Sequence, residues 1–120
     1  MVRVLAVGLD PKFADLTSMP GLTPELVRAY IDSQLERIRA LKCEVDSCLV
    51  DSGDTAERVL KNFVTERAYD CVIIGAGLRA PERLILFERL LNMVHAHLPK
   101  AKICFNTTPA DSAEAVQRWI

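Results

Sequence analysis

A strong charge asymmetry is missing from this chain. Its 15 Lys and Arg residues nearly balance its 16 Asp and Glu residues, which leaves a net charge of −1 at pH 7. No basic stripe interleaved with aromatic residues is present either. Because positive charge provides most of the affinity for phosphate backbones and anionic lipids, we expect no binding to nucleic acid or to a membrane.

Long apolar runs are missing as well. No continuous stretch is long enough to cross a bilayer, and the first apolar run reaches only Gly8 and Asp10. That run is too short for a secretory signal with a cleavage site. We therefore expect a cytoplasmic protein.

Patterns typical of metal or disulfide sites are missing too. Cys43, Cys48, Cys71 and Cys104 form no C-x-x-C pair and have no His at zinc-finger spacing. Three of them fall in predicted strands, which favours reduced thiols packed as small apolar side chains over a redox or metal role. The two histidines lie two positions apart on a helix, so they cannot bind one metal together. The sequence identifies no catalytic residue, metal site or cofactor.

What is present is an ordinary globular composition, with 50% hydrophobic and 26% charged residues. A chain of 120 residues can bury roughly two-thirds of its unfolded surface, which is enough for a core of its own. We expect one α/β domain over residues 1–120.

Four strands alternate with four helices along the chain. Continuous apolar runs predict strands covered on both faces at Val2–Leu9 and Cys71–Ile74. Residues 44–50 alternate in part, which predicts an edge strand, and the fourth strand is predicted over residues 101–105. Parallel strands joined by right-handed crossovers give a three-layer sandwich, a flavodoxin-like or Rossmann-like fold. We predict the strand order 2-1-3-4.

Helix starts are predicted from capping residues. Thr23 is the expected N-cap of the first helix, which follows a long irregular segment over residues 12–22. Asp54 and Asp111 are expected to open capping boxes for the second and fourth helices. We expect the first and fourth helices on one face of the sheet, and the second and third on the other or shared between faces.

The third helix, over residues 81–98, is apolar on more than one face. A helix of this kind needs a second surface to cover it. We expect a homodimer formed through helix 82–98, through the exposed edge of strand 101–105, or through both.

Polar residues and glycines follow each predicted strand. In a parallel sheet these carboxyl ends share one rim, and ligands bind where the strand order reverses. We expect this rim to line a cleft for a small polar or anionic molecule. The candidate ligand-binding residues are Asp10, Asp51, Gly75, Gly77, Arg79, Asn106 and Thr107.

Three pairs of interpretations remain open at this rim. The segment 75–80 matches the dinucleotide-binding glycine fingerprint, although its position after the third strand and the following Pro81 favour a turn needed for backbone geometry. Arg79 can bind a phosphate or carboxylate, or form an ion pair with Glu82 or another surface acid. Asp10 and Asp51 can share Mg²⁺ or a proton, or each can cap its own turn.

The segments Arg3–Pro11 and Tyr69–Gly75 resemble the receiver domains of two-component signalling, and Ile103–Thr107 does so loosely. In that family the third strand ends in a phospho-acceptor Asp, and here Gly75 stands at that place. The resemblance implies a flavodoxin-like fold and a non-catalytic, receiver-like interaction module. The whole chain also resembles an uncharacterised bacterial family of small α/β proteins, which implies no activity.

Overall fold

The computed structural model describes residues 1–120 and contains one parallel four-stranded sheet. Its strands run in the order β2-β1-β3-β4, with every neighbouring pair parallel. The predicted α/β class and strand order are therefore confirmed. The strands are β1 (Val2–Leu9), β2 (Cys43–Val50), β3 (Cys71–Ile74) and β4 (Lys102–Phe105).

Four α-helices cover the two faces of this sheet. The Thr23 side chain accepts a hydrogen bond from the Leu26 amide at 3.2 Å, which confirms the predicted start of the first helix. None of the helices combines the length and apolar character that crossing a membrane requires. The helices are α1 (Pro24–Arg39), α2 (Ala56–Glu66), α3 (Leu84–His97) and α4 (Ser112–Gln117).

The core consists of two apolar layers, one on each side of the sheet. Helices α2 and α3 enclose the larger layer, in which Leu5, Leu60 and Leu90 are fully buried. Helices α1 and α4 enclose the smaller one, around Val4 and Ile38. The pairing of the first helix with the fourth is thus as predicted, and α2 and α3 share the opposite face.

The helix predicted over residues 81–98 is divided. Pro81–Arg83 form a 3₁₀ turn, and the α-helix begins only at Leu84. The broad apolar surface of α3 is covered in part by the chain itself. Leu90 and Val94 lie in the core, and other apolar residues of α3 are partly buried against that core.

Both predicted capping boxes are wrong. The residue before α2 is Thr55 rather than Asp54, and its hydroxyl donates to Asp51 instead of capping the helix. Helix α4 has no side-chain cap either. Asp111 instead pairs with Thr108 in a capping box around the 3₁₀ turn that precedes α4. At α4 the carboxylate of Asp111 accepts from Thr107 and Thr108 in the preceding turn, and not from the first amides of the helix.

All four cysteines are buried and none forms a disulfide. The Cys71 and Cys104 sulfur atoms lie 3.6 Å apart on neighbouring strands. Burial raises the pKa of the Cys48 thiol to about 12, so this thiol is neutral near pH 7. The cysteines therefore pack as small apolar side chains, as the sequence predicts.

We predict that the folded protein reacts slowly with a disulfide reagent such as DTNB at about pH 8, because thiolates are the reactive species. All four thiols should react once the chain is unfolded in guanidinium chloride. The measurement is the absorbance of released thionitrobenzoate with time. A thiol that reacts rapidly in the folded protein would contradict the prediction and favour the redox alternative.

Candidate functional site

A cavity of about 200 Å³ lies between α1 and the carboxyl ends of the strands. Most of its wall is apolar, and no charged residue lines it. The residues around it come from three places: the strand ends and the turns that follow them, the inner face of α1, and the start of α4. They are Ala6, Val7, Gly8, Leu9, Pro11, Ala14, Val27, Ile31, Gln34, Leu35, Ile38, Ser47, Leu49, Ile73, Gly75, Ala76, Gly77, Asn106, Pro109 and Ser112.

The floor of the cavity exists because the sheet residues beneath α1 become small towards the strand ends. Side chains alternate along a strand, so Val4, Ala6 and Gly8 of β1 share one face. Ser47 of β2 pairs with Ala6 in the register, and Gly75 directly follows β3 on the same face as these residues. These small residues leave a depression, and the larger side chains of Ile73 and Leu49 on the neighbouring strands border it.

The roof of the cavity is the inner face of α1, from Val27 to Ile38. Near the C-terminal end of this helix, Leu35 and Ile38 are buried against the larger sheet residues. Val27 and Ile31 are only half-buried and lie over the small ones. Burial is therefore greatest near the C-terminal end of α1, and its N-terminal half packs less closely on the sheet.

The structure brings three of the predicted site residues to this cavity. Gly75, Gly77 and Asn106 line it, and Asp10 directly precedes Pro11 at its edge. The other candidates lie outside its lining. Sequence reasoning missed Gln34 and Ser112 of α1 and α4, because the helix pattern alone marks them only as polar residues near an apolar stripe. The run of small residues on one strand face was a usable signal.

Asp10 and Asp51, for which a shared metal was one interpretation, each have their own partners. Asp10 accepts hydrogen bonds from the Lys12 amide at 3.1 Å and from the Arg28 guanidinium at 2.6 Å. Asp51 accepts from the Gly53 amide at 3.2 Å and from the Thr55 hydroxyl at 2.6 Å. These contacts agree with the interpretation that each aspartate caps its own turn. No three His, Cys, Asp or Glu side chains are grouped as metal ligands would be.

The Thr55 hydrogen bond holds the pKa of Asp51 below its usual value. The loop that contains Asp51 leads away from the cavity, towards a polar groove between the starts of α2 and α3. Asp51 is therefore a turn residue on the other side of the rim.

The Arg79 side chain forms its hydrogen bonds within the protein. Its guanidinium donates to the backbone carbonyls of Ile74 and Asn106 and, at 3.2 Å, to the Asn106 side-chain oxygen. It also lies over the Phe105 ring, 5.1 Å from the centroid. Partial burial lowers the pKa of Arg79. The expected ion pair with Glu82 is not formed, and the guanidinium joins the ends of β3 and β4 instead.

Asn106 connects this arginine to the cavity. Its side chain is buried, and its Nδ2 donates to the Ser112 hydroxyl at 3.1 Å. The hydroxyl in turn donates to the Pro109 carbonyl at 2.9 Å. These bonds fix a small polar wall at one side of an otherwise apolar space.

Thr107 is exposed and shapes the turn after β4. Its hydroxyl donates to Asp111 at 2.5 Å, and its amide donates to the other oxygen of that carboxylate at 2.8 Å. The hydroxyl contact is the main reason that the pKa of Asp111 is lowered. Thr107 is thus a structural residue outside the cavity.

The glycines of segment 75–80 do not have the conformation that glycine alone adopts. A positive φ is found at Gly21 but not at these glycines. Gly75 has a φ of −72° and directly precedes the 3₁₀ turn Ala76–Arg79. At Gly77 the constraint is space, because a Cβ there would lie 3.3 Å from the Leu9 Cβ. A Cβ at Gly75 would lie 3.6 Å from the Val7 carbonyl oxygen, an ordinary contact, so close packing restricts Gly77 alone. This corrects the expectation that backbone geometry required the glycines.

Comparisons with known proteins give limited matches. No protein-family model matches the chain. Carbamoyl phosphate synthase large chains from Mycobacterium sp. strains JLS and MCS are each 32% identical in an alignment 104 residues long, which covers 80% of this chain and 9% of theirs. The chain thus spans about 9% of the length of these curated relatives.

A similar fold is found in the crystal structure of a fragment from Peptoclostridium difficile 630 that is assigned as a lipoprotein. Its TM-score is 0.54 at 14% identity, over 98% of this chain and 93% of that one. At this level of identity the likeness shows the fold alone.

We predict that Arg79→Met lowers the free energy of unfolding by about 2 kcal/mol, because it removes hydrogen bonds from a charged donor to buried acceptors. Urea unfolding followed by circular dichroism measures the change. The matched control is Arg89→Met, which removes one exposed ion pair to Glu57 at 3.6 Å and should change stability by no more than about 0.5 kcal/mol. Equal effects of the two substitutions would show that Arg79 does not hold the strand ends together.

Proposed function

We propose that this chain binds a small molecule in the cavity beneath α1. The observation that carries this proposal is the position of the cavity, between the ends of β1 and β3, where Gly8 and Gly75 lie. The strand order reverses at this point, since β2 lies on one side of β1 and β3 on the other. Open parallel sheets bind ligands at such points, in pockets that are mostly apolar with a few placed polar groups.

The chemistry of the lining revises the expected ligand. A polar or anionic molecule was expected from the residues of the rim, but Asp10, Asp51, Arg79 and Thr107 stand outside the lining. Burying an anion without a cationic partner is costly. We therefore propose a ligand with an apolar body. The proposal concerns binding and does not include a reaction.

The similarity to carbamoyl phosphate synthase large chains does not carry that activity to this chain, which matches only 9% of their length. Carbamoyl phosphate itself is an anion, and no Lys, Arg or His lines the cavity. The geometry favours a different, less polar ligand.

We predict that Ala6→Val weakens ligand binding at least tenfold, because two added methyl groups fill the floor of the cavity. A screen of small aromatic and aliphatic fragments, read by NMR chemical-shift changes, would first identify binders to the unmodified protein. The matched control is Ala101→Val, which adds the same groups to the opposite core layer. No shift at cavity residues with any fragment, or equal loss in both variants, would contradict the proposal.

A second candidate function is an interaction module that acts through a homodimer. Leu84 and Ile85, at the start of α3, are 57% and 61% exposed, and β4 is an open edge of the sheet. Exposed apolar side chains and an unpaired edge are surfaces that favour association. Gly75, at the position of the receiver phospho-acceptor, is consistent with a receiver-like module that transfers no phosphate.

We predict that the protein sediments in the micromolar range with about twice the chain mass of 13.4 kDa. The double variant Leu84→Asp and Ile85→Asp should sediment as a monomer, because charged side chains cannot be buried in an apolar interface without cost. Leu26→Asp, which places a charge at an exposed site on α1, is the control and should stay dimeric. A monomeric unmodified protein would remove this candidate.

We also propose a cytoplasmic location. It is supported by the four free cysteines, because reduced thiols are typical of that compartment. The lipoprotein assignment of the similar fragment concerns that protein, whose likeness to this chain is one of fold.

A further inference from the structure

One polar side chain in the cavity lining has a donor group without a protein partner. Gln34 of α1 is only 9% exposed, and its Oε1 accepts a hydrogen bond from Arg37 at 3.0 Å. Its Nε2 donates to no protein group. No completely buried side-chain nitrogen or oxygen lacks a partner, so this Nε2 retains some exposed surface. Gln34 is one of the residues that line the cavity.

The orientation of this amide is set by its neighbour. A guanidinium has only donors, so the Gln34 oxygen must be the atom that faces Arg37, and the NH₂ group faces away from it. Arg37 is itself fixed, because it also donates to the Ala110 carbonyl at 2.8 Å and to the Glu114 carboxylate at 2.5 Å. The amide is therefore held in one orientation before any ligand binds, which reduces the entropy cost of binding.

A second amide donor lies in the same wall. The Asn106 NH₂ group has two hydrogens, and the structure uses one of them, on Ser112. The Asn106 oxygen accepts from Arg79, so this amide is also oriented by an arginine. Two oriented, neutral donors in an apolar lining without charges favour one kind of ligand group, an uncharged oxygen acceptor.

Building on the proposed function, we propose that the cavity binds a neutral, largely apolar molecule that carries a carbonyl or ether oxygen, and that Gln34 Nε2 donates to this oxygen. A cavity of about 150 Å³ is large enough for benzene. The cavity here, at about 200 Å³, admits a monocyclic ketone of similar shape. A carboxylate of the same size is excluded by the cost of burying its charge.

The test uses three probes of similar shape: acetophenone, which has an acceptor; isopropylbenzene, which has none; and benzoate, which is charged. Their dissociation constants are measured by NMR titration for the unmodified protein and for Gln34→Met. We expect the substitution to weaken acetophenone binding about tenfold and isopropylbenzene binding less than about twofold. Benzoate should bind the unmodified protein more weakly than acetophenone does.

The control is Gln117→Met, the same change at an exposed site on α4, which should alter neither constant. If Gln34→Met does not fold, Gln34→Glu replaces it. The carboxylate keeps the contact with Arg37 but offers only acceptors. It should therefore weaken the binding of acetophenone and strengthen the binding of phenol, whose hydroxyl donates a hydrogen bond.

The outcomes separate this inference from the function on which it rests. If isopropylbenzene binds, but the Gln34 substitution does not weaken the binding of acetophenone, the inference is wrong and the cavity remains a binding site. A preference for benzoate over acetophenone would also overturn the inference. If no probe shifts any resonance of the cavity residues, the proposed function itself fails.

Discussion

The register of β1 between β2 and β3 is the constraint on which the rest of this structure depends. It places Val4 beside Val45 and Cys71, and Ala6 beside Ser47 and Ile73. Because side chains alternate, a shift of one residue in β1 would bring its other side chains to this face. Large residues would then lie where Ala6 and Gly8 now leave space, and α1 could not lie over a cavity.

Two arginines maintain the walls of that cavity without lining it. Arg79 joins the ends of β3 and β4 and orients Asn106, whereas Arg37 joins α1 to the segment before α4 and orients Gln34. In each case a group that can only donate decides which end of an amide is left for a ligand. The charges themselves remain outside, so they shape the site without making it a site for anions.

Much of the fold could be predicted from the sequence, but only three of the 20 residues that line the cavity were among the predicted site residues. Apolar periodicity located the four strands and helices, and topology rules fixed their order, because these signals are local or follow from chain connectivity. Gly75, Gly77 and Asn106 were found for the same reason, since they follow strands. The capping boxes failed for two reasons. Helix α2 begins after Thr55 rather than after Asp54. The Asp111 carboxylate accepts from Thr107 and Thr108 in the preceding turn, a choice of partner that the sequence does not rank.

By itself the sequence determined the class, the strand order and the rim at which polar groups collect, since strand length and spacing encode them. Only the tertiary structure decided which of those groups face a common space. Arg79 and Asp10 are strand-end residues like Asn106, but hydrogen bonds across the fold occupy the first two, with partners 27 and 18 positions away. Gln34 enters the site because α1 lies over small residues from another part of the chain, and a contact between distant segments leaves no local pattern to read.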